Sequence, residues 1–252
     1  MSLDRVIAAL AIPEDARVDR RVPKKLLVEQ GAPTAADKRQ IQDGVEEISW
    51  VAALKPINIA VPVYRDEVRE YLEIAVLTAS LRASAKPTRL LELIHRAIPY
   101  PLVLLAAQWE TVSLSLAHKR WSHGETGQVV IEDLYPTMPF RPDTPTAQEA
   151  SFLGSLAVSN LPAQNLFALY QGWIDRVVAL EASQITGKFA LPDSTERASE
   201  LRDHLNIHTE LQRKLGVLRS QAQKEKQINR RVELNLEIKR LESKLAATGK
   251  AL

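Results

Sequence analysis

Pro87-Thr88-Arg89-Leu90-Leu91-Glu92-Leu93-Ile94-His95-Arg96 leads into Ala97-Ile98-Pro99-Tyr100-Pro101, then Leu102-Val103-Leu104-Leu105 and Val112-Ser113-Leu114-Ser115-Leu116. The first ten residues predict a helix with Pro87 at an N1-like position, where the fixed φ and missing N–H are tolerated. Pro99 and Pro101 end it, since neither continues a helical ladder. Strands are predicted over 102–107, 111–120 and 129–134. Gln108-Trp109-Glu110 is short enough to close a hairpin. The second strand alternates, with Val112, Leu114 and Leu116 inward and Ser113, Ser115 and Ala117 outward, so one face here is expected to meet water or small contacts. Ser122-His123-Gly124-Glu125 turns the chain into the last strand. The class read from this stretch is α+β, a mainly antiparallel sheet with one helical crossover and helices packed on it.

Upstream, short helices are predicted over 3–10 with Ser2 as cap, over 23–30 with Gly31 at C′, and over 35–45 after Pro33-Thr34. The third has few apolar residues (Ala36, Ile41, Val45) and reads as a surface helix. Residues 13–21 read as loop and 48–55 as strand, while Pro56 and Pro62 bracket a loop or edge segment. Residues 70–82 are the longest strand candidate. Apolar side chains occupy both of its faces (Leu72, Ile74, Val76; Ala75, Leu77), which suits a central strand. Its Glu, Leu and Ala content supports a rival helix reading.

Downstream, 135–145 holds four prolines and is irregular. Helical signals resume at Thr146 and break at Leu161-Pro162. A long helix over 162–186, with Leu166, Phe167, Tyr170, Trp173, Ile174 and Val177 in its apolar stripe, is expected to cover the sheet and end at Gly187. Pro192 marks a boundary between an α+β body, 1–192, and a charged C-terminal helical segment, 193–252. In that segment Leu201, Leu205, Leu211, Leu215 and Leu218 form one apolar face. Ile228, Val232, Leu234, Ile238, Leu241 and Leu245 form another. The heptad phase fails between them, since Leu218 predicts Glu225 as the next core position. With no Gly or Pro over 217–248, one continuous helix with a stutter is favoured; reversal near Lys224 would instead give an antiparallel pair. An uncovered stripe wants a partner, and the residues read as partner-binding are Leu211, Leu215, Leu218, Ile228, Val232 and Leu236, with Arg230 and Arg231.

The 252 residues carry a net charge of +2, but 211–252 hold 11 Lys/Arg against 4 Asp/Glu, so this tail is +7 and the rest −5. Such a tail suits nucleic acid or an acidic partner, or simply a solvated helix face. No apolar run nears the roughly 18 residues of a membrane span. Neither that nor the N-terminus, where Asp4 and Arg5 interrupt the apolar residues, suggests a secretory or membrane protein. The absence of cysteine excludes thiolate chemistry and favours a cytoplasmic home. No glycine-rich phosphate loop can be assembled, and Ser113 and Ser115 lack the turn of a nucleophile elbow. A two-metal nuclease would need carboxylates at neighbouring strand ends with a lysine. Glu73, Glu110, Glu132 and Lys119 are the only candidates, without an acid two residues before the lysine. A zinc site from His95, His118 and His123 lacks helical ligand spacing, and His204 and His208 read as surface residues. No cofactor is read. The best-supported cluster is basic and aromatic: His95, Arg96, Tyr100, His118, Lys119, Arg120 and Trp121. Its cations could hold phosphate, and its rings could stack bases. The plainer alternative is that His95 and Arg96 complement a helix dipole and Trp121 belongs to the core.

Three segments, Ile94-His95-Arg96-Ala97-Ile98-Pro99-Tyr100-Pro101, Ser115-Leu116-Ala117-His118-Lys119-Arg120, and Lys224-Glu225-Lys226-Gln227-Ile228-Asn229-Arg230-Arg231-Val232-Glu233-Leu234-Asn235, resemble an uncharacterised bacterial family, domain of unknown function four-three-nine-one, over nearly the whole chain. The family has no assigned catalytic residues. The resemblance implies company with helicases and DNA methyltransferases in restriction or phage-defence gene clusters, an associational warrant. The expectation is therefore an accessory, non-catalytic subunit of a DNA-acting complex, binding a helicase or methyltransferase subunit, nucleic acid, or both. The alternatives are a metal-dependent nuclease with an atypical site, or a structural protein self-associating as a homodimer through the tail.

Overall fold

The structure, a computed structural model, describes residues 2–122 and 129–252. The zinc reading's His123 and the rest of the expected turn after Ser122 lie outside the described residues. The chain forms two compact units, Met1–Val177 and Val178–Leu252.

The elements of the first unit are α1 (Ser2–Ala9), β1 (Arg17–Arg21), α2 (Lys24–Gly31), α3 (Ala35–Gly44), β2 (Val45–Leu54), α4 (Pro56–Ile59), β3 (Tyr64–Arg65), β4 (Glu70–Tyr71), β5 (Ile74–Leu81), α5 (Pro87–Ala97), β6 (Leu102–Gln108), β7 (Thr111–Trp121), β8 (Val129–Pro136) and α6 (Ala147–Ser155); α7 (Leu166–Thr186) runs on into the second unit. One six-stranded sheet has the order β1-β2-β5-β6-β7-β8. Every pairing in it is antiparallel except β5 with β6, whose crossover is α5. The fold is α+β, as the sequence predicts.

Both faces of the central strands are buried because both carry helices. On β5, Ala75, Leu77, Ala79 and Leu81 join a core with Leu27, Ile41 and the α5 residues Leu90, Leu93 and Ile94. Val76, between them, is equally buried and faces the other way, as the strand period requires. On that second side Tyr170 donates from its hydroxyl to the Leu102 carbonyl at 2.8 Å, and α1 contacts β6 and β7. The expected outward face of β7 is corrected here. Ser113, Ser115 and Ala117 are buried; α5 reaches this face at Ser115, where His95 Nε2 lies 3.0 Å from the Ser115 Oγ.

Other departures share one cause, that local pattern does not report pairing partners. Instead of a loop over 13–21, Arg17–Arg21 is an edge strand on β2, with Asp19 at φ 46° beside the register shift. Its charged, exposed side chains suit an edge but give no alternation to read. The single strand over 70–82 is two: Glu70–Tyr71 pairs with Tyr64–Arg65 in its own ladder, and only Ile74–Leu81 enters the sheet. Pro56–Ile59 is a short helix rather than a loop or edge segment. On α3, Ala36 is exposed and Asp37 takes the buried place. Asp37 accepts from Arg89 Nε at 2.9 Å, tying α3 to α5, and the Arg89 guanidinium, with Thr34, holds its carboxyl down at about 2.

Gln108 pairs with Thr111, so Trp109 and Glu110 form a two-residue hairpin loop. Trp109 sits at φ 58° and is largely exposed. A positive φ at the first loop position favours glycine, and a left-handed conformation disfavours a Cβ by roughly 1–2 kcal/mol. Trp109→Gly is therefore expected to raise the urea midpoint, through a gain in unfolding free energy of about 0.5–1 kcal/mol after the glycine's unfolded-state entropy is counted. A lower midpoint would mean that the indole packs on something.

The second unit holds the rest of α7, ended by Gly187 at φ 76°, then α8 (Thr195–Lys224) and α9 (Ile228–Ala251). Ser194 caps α8, accepting from the Arg197 N–H at 3.2 Å. The favoured continuous helix is corrected: the ladder ends at Lys224, Glu225–Gln227 turns, and α9 packs back on α8, with Arg219 and Glu242 2.7 Å apart. The lost heptad phase was the true signal, because α8 and α9 meet along a seam that includes Leu215 and Leu234, while Ile228 and Val232, read as part of the α9 stripe, are exposed. No described helix is long and apolar enough to cross a membrane.

Candidate functional site

Proline and a buried lysine shape a hollow of the first unit. The last turn of α5 carries His95 and Arg96, and Pro99 and Pro101 hold the following chain extended. Lys119, buried on β7, reaches this segment and donates through Nζ to the Ile98 carbonyl and, at 2.5 Å, to the Tyr100 carbonyl. Around it lies a cleft of about 1220 Å³ whose walls include Leu26, Trp50, Arg96, Tyr100 and Ile131. Pro99, Tyr100, Lys119 and Val129 also line a smaller hollow of about 240 Å³, with Leu72, Trp121, Arg69 and Arg120.

Burial pushes the Lys119 amine down to about 7. His95 also lines the cleft. Burial first, and the Lys119 charge second, hold its imidazole well below the ordinary range, so it is neutral. His95 Nδ1 is buried with no hydrogen-bond partner, a state that normally costs about 1–3 kcal/mol and calls for an explanation.

The structure divides the seven residues of the basic-aromatic cluster. His95, His118 and Lys119 are buried. Lys119 faces the α5 side, while His118 faces the aromatic side of the sheet, its Nδ1 2.5 Å from the Tyr71 hydroxyl and its Nε2 2.8 Å from Gln171 Oε1. Neighbours along a strand point oppositely, so these adjacent residues cannot serve one surface. Arg96, Tyr100 and Trp121 are exposed and Arg120 half-buried, and these four line the two hollows. Sequence reasoning missed Arg69. It lies between β3 and β4, where Asp66 Oδ1 accepts from the Val68 and Arg69 N–H groups at 2.7 and 2.6 Å. Only that Asx turn, Asp66-Glu67-Val68-Arg69, could have signalled it.

The carboxylates named for a nuclease do not converge. Glu73 lies 3.0 Å from Lys55, Glu110 pairs with Arg141 in the hairpin loop at the opposite sheet end, and Glu132 lies 3.3 Å from Arg69. Among the described residues no group of three or more His, Asp or Glu could hold a metal ion. His208 is corrected from surface to buried; it falls on the face of α8 that carries Leu215 and Ala222, seven and fourteen residues on.

In the second unit Leu215 and Leu234 are buried and Leu211 and Leu218 half-buried, which places them in the α8–α9 seam rather than on a free face. Ile228, Val232 and Leu236 are exposed at 68%, 52% and 55%. Their i, i+4, i+8 spacing makes one stripe, which the seam of Leu234, Ile238, Leu241 and Leu245 leaves facing away. Arg230 is exposed and pairs with Glu233 at 2.7 Å, and Arg231 is exposed.

No curated protein and no solved structure matches the chain. Residues 10–245 match the model of the family described as Domain of unknown function (DUF4391). That span takes in the cleft, the sheet, all of α8 and most of α9, and the chain belongs to this family.

Proposed function

We propose that the chain is an accessory, non-catalytic subunit of a cytoplasmic DNA-acting complex, and that it docks a helicase-type protein partner through α9. The observation that carries this reading is the exposed stripe Ile228, Val232 and Leu236 on a helix whose other apolar face is already used. Contiguous apolar exposure rimmed by polar groups marks interaction sites. Arg231, Lys239 and Arg240 flank the stripe by helical geometry, which suits an acidic partner face and opposes a second copy carrying the same charges.

The test is tagged recovery from the native cell with identification of stoichiometric partners. A DNA-acting protein is expected with the wild type. Val232→Asp and Leu236→Asp should each weaken its capture at least about tenfold, the range of an interface anchor, without altering the circular dichroism, since both positions are exposed. Capture unaffected by either change overturns the docking site. A mass of twice 28.1 kDa by light scattering, abolished by Val232→Asp, would replace the adaptor reading with self-association.

A further inference from the structure

We propose that the larger cleft of the first unit binds an extended, uncharged peptide segment of another protein as an added strand on the free edge of β8. The inference goes beyond the α9 reading and does not rest on it, since it concerns the other unit. β8 closes the sheet order, and Val129, Val130, Ile131, Glu132 and Leu134 all line the cleft. Neighbours along a strand point to opposite faces, so consecutive residues share one wall only where the main chain forms part of it.

The ladder fixes which main-chain groups face outward. Pairs in an antiparallel ladder alternate between those that exchange bonds and those whose N–H and C=O groups point away from each other. The Trp121 N–H donates to the Val68 carbonyl at 2.8 Å. The Ala117 N–H donates at 2.8 Å to the Tyr170 hydroxyl, which itself bonds Leu102 on β6. Both residues therefore turn these groups away from β8, and Lys119, two residues from each, does the same. Their partners on β8 are Val129, Leu134 and Ile131. The N–H and C=O groups of these partners thus face the open edge, and among the described residues nothing bonds them.

Such an edge is matched by a main chain in the same extended form. The other edge of the sheet is guarded, since β1 carries Arg17, Arg20 and Arg21 and holds Asp19 at φ 46°. The run Val129-Val130-Ile131 has no charge and no proline. At about 1220 Å³ the cleft exceeds the roughly 300–1,000 Å³ of single small-molecule sites and has room for several residues. Its charge balance selects the occupant. Lys25, Arg96 and Lys119 are offset by Glu29, Glu92 and Glu132, and Lys25 pairs with Glu29 and Arg96 with Glu92. A wall neutralised within itself complements an uncharged segment, whose alternate side chains meet the apolar Leu26, Trp50 and Ile98. The β8 edge of a second copy is disfavoured, because pairing β8 with itself brings Glu132 and Asp133 of two copies together.

The test pans a display library of random peptides of about eight residues, a strand length, on the immobilised full chain. Enriched sequences are then synthesised with a fluorescent label and titrated by anisotropy. Uncharged sequences with apolar residues at alternate positions are expected. Methylating the backbone nitrogens of every second residue should weaken binding at least about tenfold in one phase, through lost edge bonds, and less than about twofold in the other. Ile131→Pro, which removes an outward N–H at an edge position where proline is tolerated, should weaken binding about tenfold. The methylated peptides need no variant to fold. No enrichment over the bare support overturns the inference, as do equal losses in both phases or selection of charged sequences. Binding unchanged in a folded Ile131→Pro chain also overturns it. A dimer abolished by Ile131→Pro would give the edge to a second copy instead.

Discussion

Gly31→Ala is expected to destabilise the first unit by about 2–3 kcal/mol, the upper part of the range for overpacking a tight contact. Gly31 was expected as a C′ glycine, needed for its backbone conformation. It is instead the last residue of α2, and what it provides is absence of volume. A Cβ there would run into the Leu93 carbonyl oxygen and come within 2.8 Å of the Ala97 Cβ. The nearest obstacle is the backbone of α5, which no rotamer change can move, so the two helices must separate. Because the last turn of α5 also supports the cleft, the effect should reach Ile98 and Tyr100. Gly216→Ala is the control. It lies mid-helix in α8 with nothing within 4 Å of the added methyl, so helix propensity should act alone and stabilise by up to about 1 kcal/mol. Urea denaturation of both variants decides it. A Gly31→Ala chain as stable as wild type would mean that α2 and α5 do not approach this closely.

The second large effect concerns Lys119 and pH. Folding lowers its amine to about 7 from 10.5. Between those values the unfolded chain holds a proton that the folded chain has released, so stability rises with pH across that window. The burial penalty is complete below about pH 7 and relieved as pH climbs toward the unfolded value. The slope is at most about 1.4 kcal/mol per pH unit, or roughly 2–3 kcal/mol between pH about 7 and about 9. The carbonyls of Ile98 and Tyr100 explain why the neutral amine suits the site, since its two hydrogens match two acceptors. Lys119→Met should lose both bonds and lack this rise, so that wild type gains stability over the variant as pH climbs from about 7 to about 9. The check is the difference in unfolding free energy between the two chains at pH about 7 and about 9. A difference that stays flat would mean that the amine reaches water in the folded state.

How much of the site was legible follows from which residues lie close in sequence. Arg96, Tyr100, Arg120 and Trp121 were named from basic and aromatic types at a helix end and a strand end, and the structure places all four around two adjoining hollows. His118 was named with them and faces the other side of the sheet, because composition of a run says nothing of strand alternation at a bulge. The register of β7 on β8 shifts between Ala117 and Lys119. Arg69 was not legible, since its place depends on a loop ladder and on Glu132, 63 residues away.

By itself the sequence determined the α5 boundaries, the β6–β7 hairpin, the helical C-terminus and the α+β class, all carried by proline placement, capping and periodicity, which act within a few residues. Tertiary structure alone decided that Arg17–Arg21 would be a strand, that Ser115 would lie under His95, that α8 and α9 would fold back on each other, and that Gly31 would be a contact rather than a cap. Each of these depends on what a distant segment offers as a hydrogen-bond partner or a packing surface. No local preference encodes that offer, and burial outweighs local preference wherever the two compete.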